Sequence, residues 1–147
     1  MANFVYSHVS MSRLITCQKP LQLLAHAYLD LGIMDAHIQD GARDKATQDE
    51  YFATGKSKLP WPEGKHCAPV PGVREESAAV DIVPVIDGQL SWNNYHCSIQ
   101  AGAIWALSKQ MGIPIRWGGN WDRDHEPITD QDFQDLVHFE LDDEYGT

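Results

Sequence analysis

The sequence lacks a long apolar run, and its N-terminus has no basic segment followed by an apolar one. A helix that spans a bilayer needs roughly 20 mostly apolar residues in succession, and no segment of this 147-residue chain approaches that length. The opening MANFVYSHVSMSRL also differs from a secretory signal peptide. We therefore expect a protein without membrane insertion and without a signal peptide.

Cysteine is scarce. The three residues Cys17, Cys67 and Cys97 leave one unpaired after any pairing, and none belongs to a C-x-x-C motif. A disulfide framework needs an even set of cysteines at suitable spacings. The sequence therefore argues against a fold held together by disulfides.

Positive charge is also scarce. The chain has 11 Lys and Arg against 21 Asp and Glu, which gives a formal net charge of −10. A protein of this charge repels polyanions, because nucleic-acid binding depends on basic side chains that neutralise phosphates. We expect no nucleic acid among its partners.

Hydrophobic residues make up 43% of the chain, which is enough to build one core at this length. We therefore expect a single domain over residues 1–147. Apolar periodicity, glycine and proline positions predict an ordered mixture of helices and strands, which is typical of the α+β class. The predicted helices are Pro20–Leu31, Lys45–Ala53, Ile99–Met111 and a short one over Asp130–Asp135. The predicted strands are Ala36–Gln39, Ala79–Pro84, Ile113–Trp117 and Val137–Leu141, and the proline-rich stretch 57–76 is predicted to be a loop.

Three residues of metal-binding type stand in unusual places. His66 lies in the proline-rich loop, and Asp81 and His138 lie inside apolar strands. An ionised carboxylate in such a strand is costly unless it is paired or bound to a cation, and a catalytic zinc site takes three ligands of these types. From the residues alone the alternatives stay open, because Asp81 could pair with Arg43 or Arg74, and each histidine could be a hydrogen-bonded core residue.

Other patterns give weaker signals. Asp135 precedes His138 by three residues, so it could face the same metal or be a solvated charge at the end of a helix. The Gly55-Lys-Ser57 run lacks the glycine that a phosphate-binding loop requires at Glu50. The neighbours His66 and Cys67, and likewise His96 and Cys97, could indicate a thiol nucleophile only if the side chains meet in space.

Several short motifs, taken in order, carry a resemblance to a known family. They extend from about residue 10 to residue 141, and their order along the chain is more specific than any one of them. Together they resemble the L-alanyl-D-glutamate endopeptidases of bacteriophages, which are related to D-Ala-D-Ala carboxypeptidases and more remotely to the hedgehog signalling domain. The motifs are Ser10-Met-Ser-Arg-Leu14, Thr16-Cys17, Gly41-Ala-Arg43, Gln48, Gly55-Lys-Ser-Lys58, Gly64-Lys-His66, Ser77-Ala-Ala-Val-Asp81-Ile-Val-Pro84, Trp92-Asn93, Gly112-Ile113, Arg116-Trp-Gly-Gly-Asn-Trp121 and Asp135-Leu-Val-His-Phe-Glu140.

The resemblance implies a role for each matching residue. It implies that His66, Asp81 and His138 bind Zn²⁺, that Asp135 is the general base, and that Arg43 polarises the carbonyl of the substrate. It also implies a small, mainly antiparallel sheet with flanking helices, as in the hedgehog/D-Ala-D-Ala peptidase fold.

The resemblance implies a zinc-dependent peptidase that cuts the L-Ala-D-Glu bond in the stem peptides of peptidoglycan during bacterial lysis. Such an enzyme would stay in the host cytoplasm until release and then act on the cell wall, and we expect a monomer. Two alternatives remain, a D-Ala-D-Ala carboxypeptidase or dipeptidase and a non-catalytic zinc-containing binding module. The fourteen residues between His66 and Asp81 exceed the usual family spacing, which predicts an inserted loop beside the metal.

Overall fold

The computed structural model describes residues 3–129, 131 and 134–142 of the chain. The described residues form four helices and five strands. The helices are α1 (His8–Leu14), α2 (Lys19–Asp30), α3 (Lys45–Thr54) and α4 (Asn94–Met111). The strands are β1 (Asp35–Asp40), β2 (Ala79–Ile86), β3 (Gln89–Leu90), β4 (Ile115–Gly118) and β5 (Asp135–Leu141).

The five strands form one sheet in the order β1-β2-β5-β4, with β3 paired to β2 at its far end. Every named strand pair is antiparallel. The predicted α+β class and the mainly antiparallel sheet are therefore confirmed. The strand order matters for the site, because it places β5, the last of the described strands, between β2 and β4.

Helix ends follow local capping signals. The side chain of Asn93 accepts hydrogen bonds from the amides of Tyr95 and His96, which satisfies backbone donors that would otherwise lack partners. Helix α4 therefore begins at Asn94, and the predicted start at Ile99 was wrong because it followed the apolar pattern and overlooked this cap. The helix ends at Gly112, whose φ of 68° is the left-handed conformation that glycine adopts without strain.

Two short elements were not predicted, and one prediction was misplaced. Ser7 caps α1 by accepting a hydrogen bond from Ser10, and β3 is only two residues long. Of the helix predicted over Asp130–Asp135, positions 130, 132 and 133 lie outside the described residues. Asp135 itself is the first residue of β5, so the prediction was wrong at that position.

The main core lies between the sheet and the helices. Helix α4 packs against α2 and against strands β2, β4 and β5. Val80, Ile82 and Phe139 belong to this core and are at most 2% exposed. Because neighbouring side chains of a strand point to opposite faces, Asp81 and His138 lie on the face away from these core residues. None of the helices in the described part of the chain combines the length and apolar character needed to span a membrane.

The predicted loop over 57–76 contains turns and isolated bridges but no helix or strand. Its distal part is held by Arg74, whose guanidinium donates to the carbonyls of Gly64 and Cys67 at 2.9 and 3.1 Å. Arg74 is therefore committed to the backbone of this loop, which removes it as the partner that sequence reasoning offered to Asp81.

Candidate metal centre

The sheet brings two of the predicted ligands together directly. Asp81 of β2 and His138 of β5 are paired across the two strands, and Asp40 of β1 is paired with Asp81 on the other side. Side chains of directly paired residues project from the same face of a sheet. Residues that are 57 positions apart in the chain therefore meet as cross-strand neighbours.

His66 reaches the same face from the loop, which is fixed to the sheet on two sides. The amide of Arg43 donates to the carbonyl of His66 (2.8 Å), and the amide of Ala78 donates to the carbonyl of Lys65 (2.9 Å). The ring is oriented by its Nδ1, which lies 2.7 Å from the carbonyl oxygen of Gly41. A β-carbon at position 41 would lie only 2.4 Å from the carbonyl oxygen of Arg13. The backbone of residue 41 can therefore pass this close to Arg13 only because residue 41 is glycine.

Three possible ligand atoms converge on one point. His66 Nε2 lies 3.1 Å from Asp81 Oδ1 and 3.2 Å from His138 Nδ1, and the latter two atoms are 3.1 Å apart. Tetrahedral zinc with bonds of about 2.0–2.2 Å places its ligand atoms about 3.3–3.6 Å from one another. The triangle therefore fits a small tetrahedral cation within a few tenths of an ångström, and these three residues could hold a metal ion.

In each histidine ring the outer nitrogen, which faces away from the cluster (His66 Nδ1 or His138 Nε2), lies beside an oxygen acceptor. These contacts determine which nitrogen of each ring carries the proton and which presents its lone pair to the cluster. Besides the contact of His66 with Gly41, His138 Nε2 lies 2.9 Å from Glu140 Oε1. If each outer nitrogen donates its proton to these oxygens, both inner nitrogens present lone pairs beside the Asp81 carboxylate. The three side chains are 4%, 9% and 8% exposed. Three buried acceptors at this separation repel one another unless a cation lies between them.

The charges of the site have consequences for its pKa values. Burial by itself would raise the pKa of Asp81, but the two histidines outweigh it and hold that pKa well below its usual range. Burial would lower the pKa of His138, but its hydrogen bonds to Asp81 and Glu140 raise the pKa to about 10. In the absence of a metal, a proton on His138 is therefore the cation that the cluster attracts.

Asp135 reaches the same cavity through an irregularity in the sheet. Trp117 pairs with Phe139, yet the next residue of β4, Gly118, pairs with Asp135, so the register shifts at this point. A β-carbon on Gly118 would lie 1.9 Å from the carbonyl oxygen of Asp135, and only glycine permits this approach. In a regular strand Asp135 and His138 would point to opposite faces, whereas here both line one cavity.

The carboxyl group of Asp135 is poised to hold a proton. Burial, and after it the negative charge of Asp81, raise the pKa of Asp135 above its ordinary value. A raised carboxyl pKa makes proton uptake easier near neutral pH, which is the property expected of a general base. The position and the pKa direction support the predicted role.

Arg43 is buried beside the cluster and held in place. Its Nε donates to Asp40 at 2.9 Å, its Nη1 donates to Gln48 at 2.8 Å, and its Nη2 lies 4.0 Å from Asp81. The guanidinium is therefore oriented by neutral and acidic partners on one side. Its Nη2 also donates to Asp40. Because a guanidinium has five N–H donors, Nη1 and Nη2 each keep one more hydrogen, and Arg43 lines the cavity.

Sequence reasoning missed a second row of functional side chains. Arg116 Nη2 donates to Glu140 at 3.0 Å, and Glu140 in turn contacts His138, so a chain of polar contacts supports the ligand. The Trp121 ring lies 5.4 Å from the His138 ring and is tilted by 45°. Glu140 occupies the second position after His138, and that spacing on a strand could have identified it as a same-face partner.

The thiol alternative is not supported. Burial raises the pKa of Cys67 and of Cys97, which disfavours the nucleophilic thiolate. His96 Nδ1 lies 2.7 Å from the hydroxyl of Ser91, and His66 faces the metal cluster. Neither histidine is in a position to activate its neighbouring cysteine.

The cluster lies in a cavity of about 680 Å³. Its walls contain the three possible ligands, Asp135 and Arg43, together with the aromatic rings of Trp92 and Trp121. The predicted inserted loop, residues 67–76, contributes no residue to this lining within the described part of the chain. The sequence predicted this loop beside the metal, but its residues are not part of the cavity wall.

Comparisons with known proteins show which proteins the chain is similar to. The sequence profile of the phage L-alanyl-D-glutamate peptidase family matches residues 2–142. Curated protein sequences give no significant match. Among solved structures, the L-Ala D-Glu endopeptidase ChiX of Serratia marcescens is similar in fold, with a TM-score of 0.74 and 22% sequence identity. The superposition covers 97% of this chain and 95% of the ChiX chain.

Proposed function

Because the chain belongs to the family of phage L-alanyl-D-glutamate peptidases, we propose that it hydrolyses the L-Ala-D-Glu bond of peptidoglycan stem peptides with zinc held by His66, Asp81 and His138. The observation that carries the proposal is the triangle of ligand atoms with sides of 3.1–3.2 Å, beside a carboxylate of raised pKa. Two imidazoles and one carboxylate are a ligand set that zinc prefers.

In this proposal each remaining side chain has a distinct task. When bound, zinc supplies Lewis acidity and lowers the pKa of a water from about 15.7 toward about 7. Asp135 accepts the proton of the attacking water and returns it to the leaving amine. Arg43 donates a hydrogen bond to the oxyanion that forms on the scissile carbonyl. Glu140 holds His138 in the orientation that keeps Nδ1 toward the cluster.

The alternative of a zinc-containing binding module without catalysis is less well supported. A module of that kind has no use for a proton acceptor beside the metal, whereas Asp135 lines the cavity with its pKa raised. The plain structural alternative, in which the histidines are ordinary core residues, accounts for the close acceptors by a proton on His138 but gives Asp135 no role in the cavity. Both alternatives predict no hydrolysis of peptidoglycan.

Digestion of purified peptidoglycan tests the bond that is cut. We expect new peptides that begin with D-Glu and glycan-linked stems that end in L-Ala, because the proposed cleavage separates these two residues. Mass spectrometry of the products, before and after labelling of new amino groups, identifies both ends. Release of free D-Ala without these products would instead support the D-Ala-D-Ala carboxypeptidase alternative.

Metal binding is expected to displace a proton from His138. Its pKa of about 10 keeps the metal-free imidazole protonated near neutral pH, whereas a metal ligand must be neutral. At pH 6, zinc binding should therefore release about one proton, and the affinity should rise roughly tenfold per pH unit. Calorimetry in buffers of different ionisation enthalpy measures this release. A binding enthalpy that is the same in every buffer would contradict the displacement.

The setting of the reaction is also part of the proposal. We propose that the chain works as a single-domain monomer, remains in the host cytoplasm after synthesis, and reaches the wall once the membrane has been opened by another protein. Elemental analysis of the purified protein and loss of turbidity in bacteria stripped of their outer membrane test the metal and the lytic activity together.

A further inference from the structure

The turn that follows α3, residues 55–58, lies at the metal-site cavity although no role has been assigned to it. Gly55 ends α3 with a φ of 82°, and the amide of Ser57 donates back to the carbonyl of Tyr51 at 3.1 Å. Lys56, Ser57 and Lys58 all line the cavity that contains the ligand cluster. The reversal of the chain after the helix therefore presents two lysines to the site.

A buried glutamine connects this turn to the catalytic side chains. Gln48 has no exposed surface, and its Nε2 donates to Ser57 Oγ at 2.9 Å and to the carbonyl of Leu59 at 2.6 Å. Its Oε1 accepts from Arg43 at 2.8 Å. A fully satisfied buried amide holds its partners in a definite geometry, so the turn has a fixed position relative to Arg43.

One aromatic ring, that of Tyr51, contacts both Arg43 and Lys56. The Arg43 guanidinium lies 4.6 Å from the centre of the Tyr51 ring, and Lys56 Nζ lies 5.2 Å from the same centre. Both distances are in the range of cation–π attraction. Lys56 is exposed, so its ammonium group remains accessible to an anion. The contact with the Tyr51 ring restricts the positions of this ammonium group.

The cavity is much less acidic than the rest of the protein. It is lined by five of the 11 basic residues and four of the 21 acidic ones. Two of these basic residues, Arg43 and Arg116, are paired with Asp40 and Glu140. A cationic turn in a protein of net charge −10 attracts anions specifically to this cavity.

The proposed substrate has an anion close to the scissile bond. A glutamate residue has two carboxyl groups, and only one of them continues the stem peptide, so the other is a free carboxylate. It belongs to the residue whose nitrogen leaves during hydrolysis. We propose that Lys56, held against Tyr51, binds this carboxylate and determines the preference for an acidic residue after the cleaved bond. This inference rests on the proposed function.

Substrates with and without the charge test the proposal. The pair consists of a stem peptide with the free glutamate carboxylate and the same peptide with a carboxamide there. Lys56→Met should lower kcat/KM on the carboxylate peptide about 10-fold, mainly through KM, since one charge-assisted hydrogen bond is lost. On the carboxamide peptide the variant and the wild type should be equal. Lys56→Arg should retain most of the preference.

Lys45→Met is the matched control. Lys45 is the first residue of α3 and is exposed like Lys56, but its ammonium group pairs with Asp49. It should leave kcat/KM on both peptides unchanged, and zinc content and thermal unfolding should be the same in all variants. An equal loss on both peptides, or no loss on either, would overturn the role of Lys56. If the wild type cleaves neither peptide, the proposed function itself fails, and the assignment of Lys56 falls with it.

Discussion

Asp135→Asn should abolish most hydrolysis while leaving bound zinc in place. The carboxamide has nearly the same shape but cannot accept a proton, and loss of a general base lowers the rate about 10²- to 10⁴-fold. Asp135 is outside the ligand triangle, so metal content should stay the same. Steady-state kinetics on a stem peptide and elemental analysis of the same preparation measure both effects.

Asp87→Asn is the matched control for this change. Asp87 is exposed in the turn between β2 and β3, with a φ of 52° that asparagine also tolerates. Its replacement should leave both kcat/KM and metal content unchanged. If Asp135→Asn keeps wild-type activity, the proton acceptor is another group. If the variant loses its zinc instead, Asp135 contributes to metal binding and its assigned role is wrong.

His138→Ala should remove both the metal and the activity. His138 contributes one corner of the ligand triangle, and even residues that only support a ligand typically contribute 10- to 100-fold to metal affinity. We therefore expect zinc affinity to fall by more than about 100-fold. Zinc at roughly 100 times its Kd adds about 2.7 kcal/mol to the free energy of unfolding, and this increment should be absent in the variant.

Two further variants give an intermediate and a neutral reference for the loss of zinc affinity in His138→Ala. Glu140→Gln keeps an acceptor for His138 Nε2 but removes the charge, so its zinc affinity should fall by about 10- to 100-fold, less than that of His138→Ala. His8→Ala changes an exposed histidine at the start of α1 and should change nothing. Thermal unfolding with and without added zinc measures the increment for each protein. A His138→Ala protein that still binds one equivalent of zinc would disprove the ligand assignment.

Local signals in the sequence predicted most elements correctly. Helix α2 was predicted within one residue at each end, because Pro20 and Gly32 mark its ends and the apolar residues between them follow helical spacing. The buried strand β2 was recognised from its apolar run, although it extends two residues further than predicted. The start of α4 was missed because Asn93 caps a turn that has little apolar character.

The site was predictable only in part. Asp81 and His138 stood out as polar residues in apolar strands, His66 was a candidate in the proline-rich loop, and the order of motifs then favoured all three as ligands. Among the residues that support them, Glu140 is marked only by its position two residues after His138, and Arg116 gave no local signal of its own. The same holds for Gln48, a polar residue within a helix, whose role depends on the turn and the arginine that it contacts.

The sequence by itself determined most of the helices and strands and which residues have metal-binding chemistry, because capping, periodicity and side-chain type act over a few neighbouring residues. Only the tertiary structure decided that these side chains meet. The pairing of β2 with β5 puts Asp81 next to His138, and the register shift at Gly118 turns Asp135 toward the same cavity. These are contacts between distant segments, and their geometry depends on strand order and close backbone approach, which no local pattern specifies.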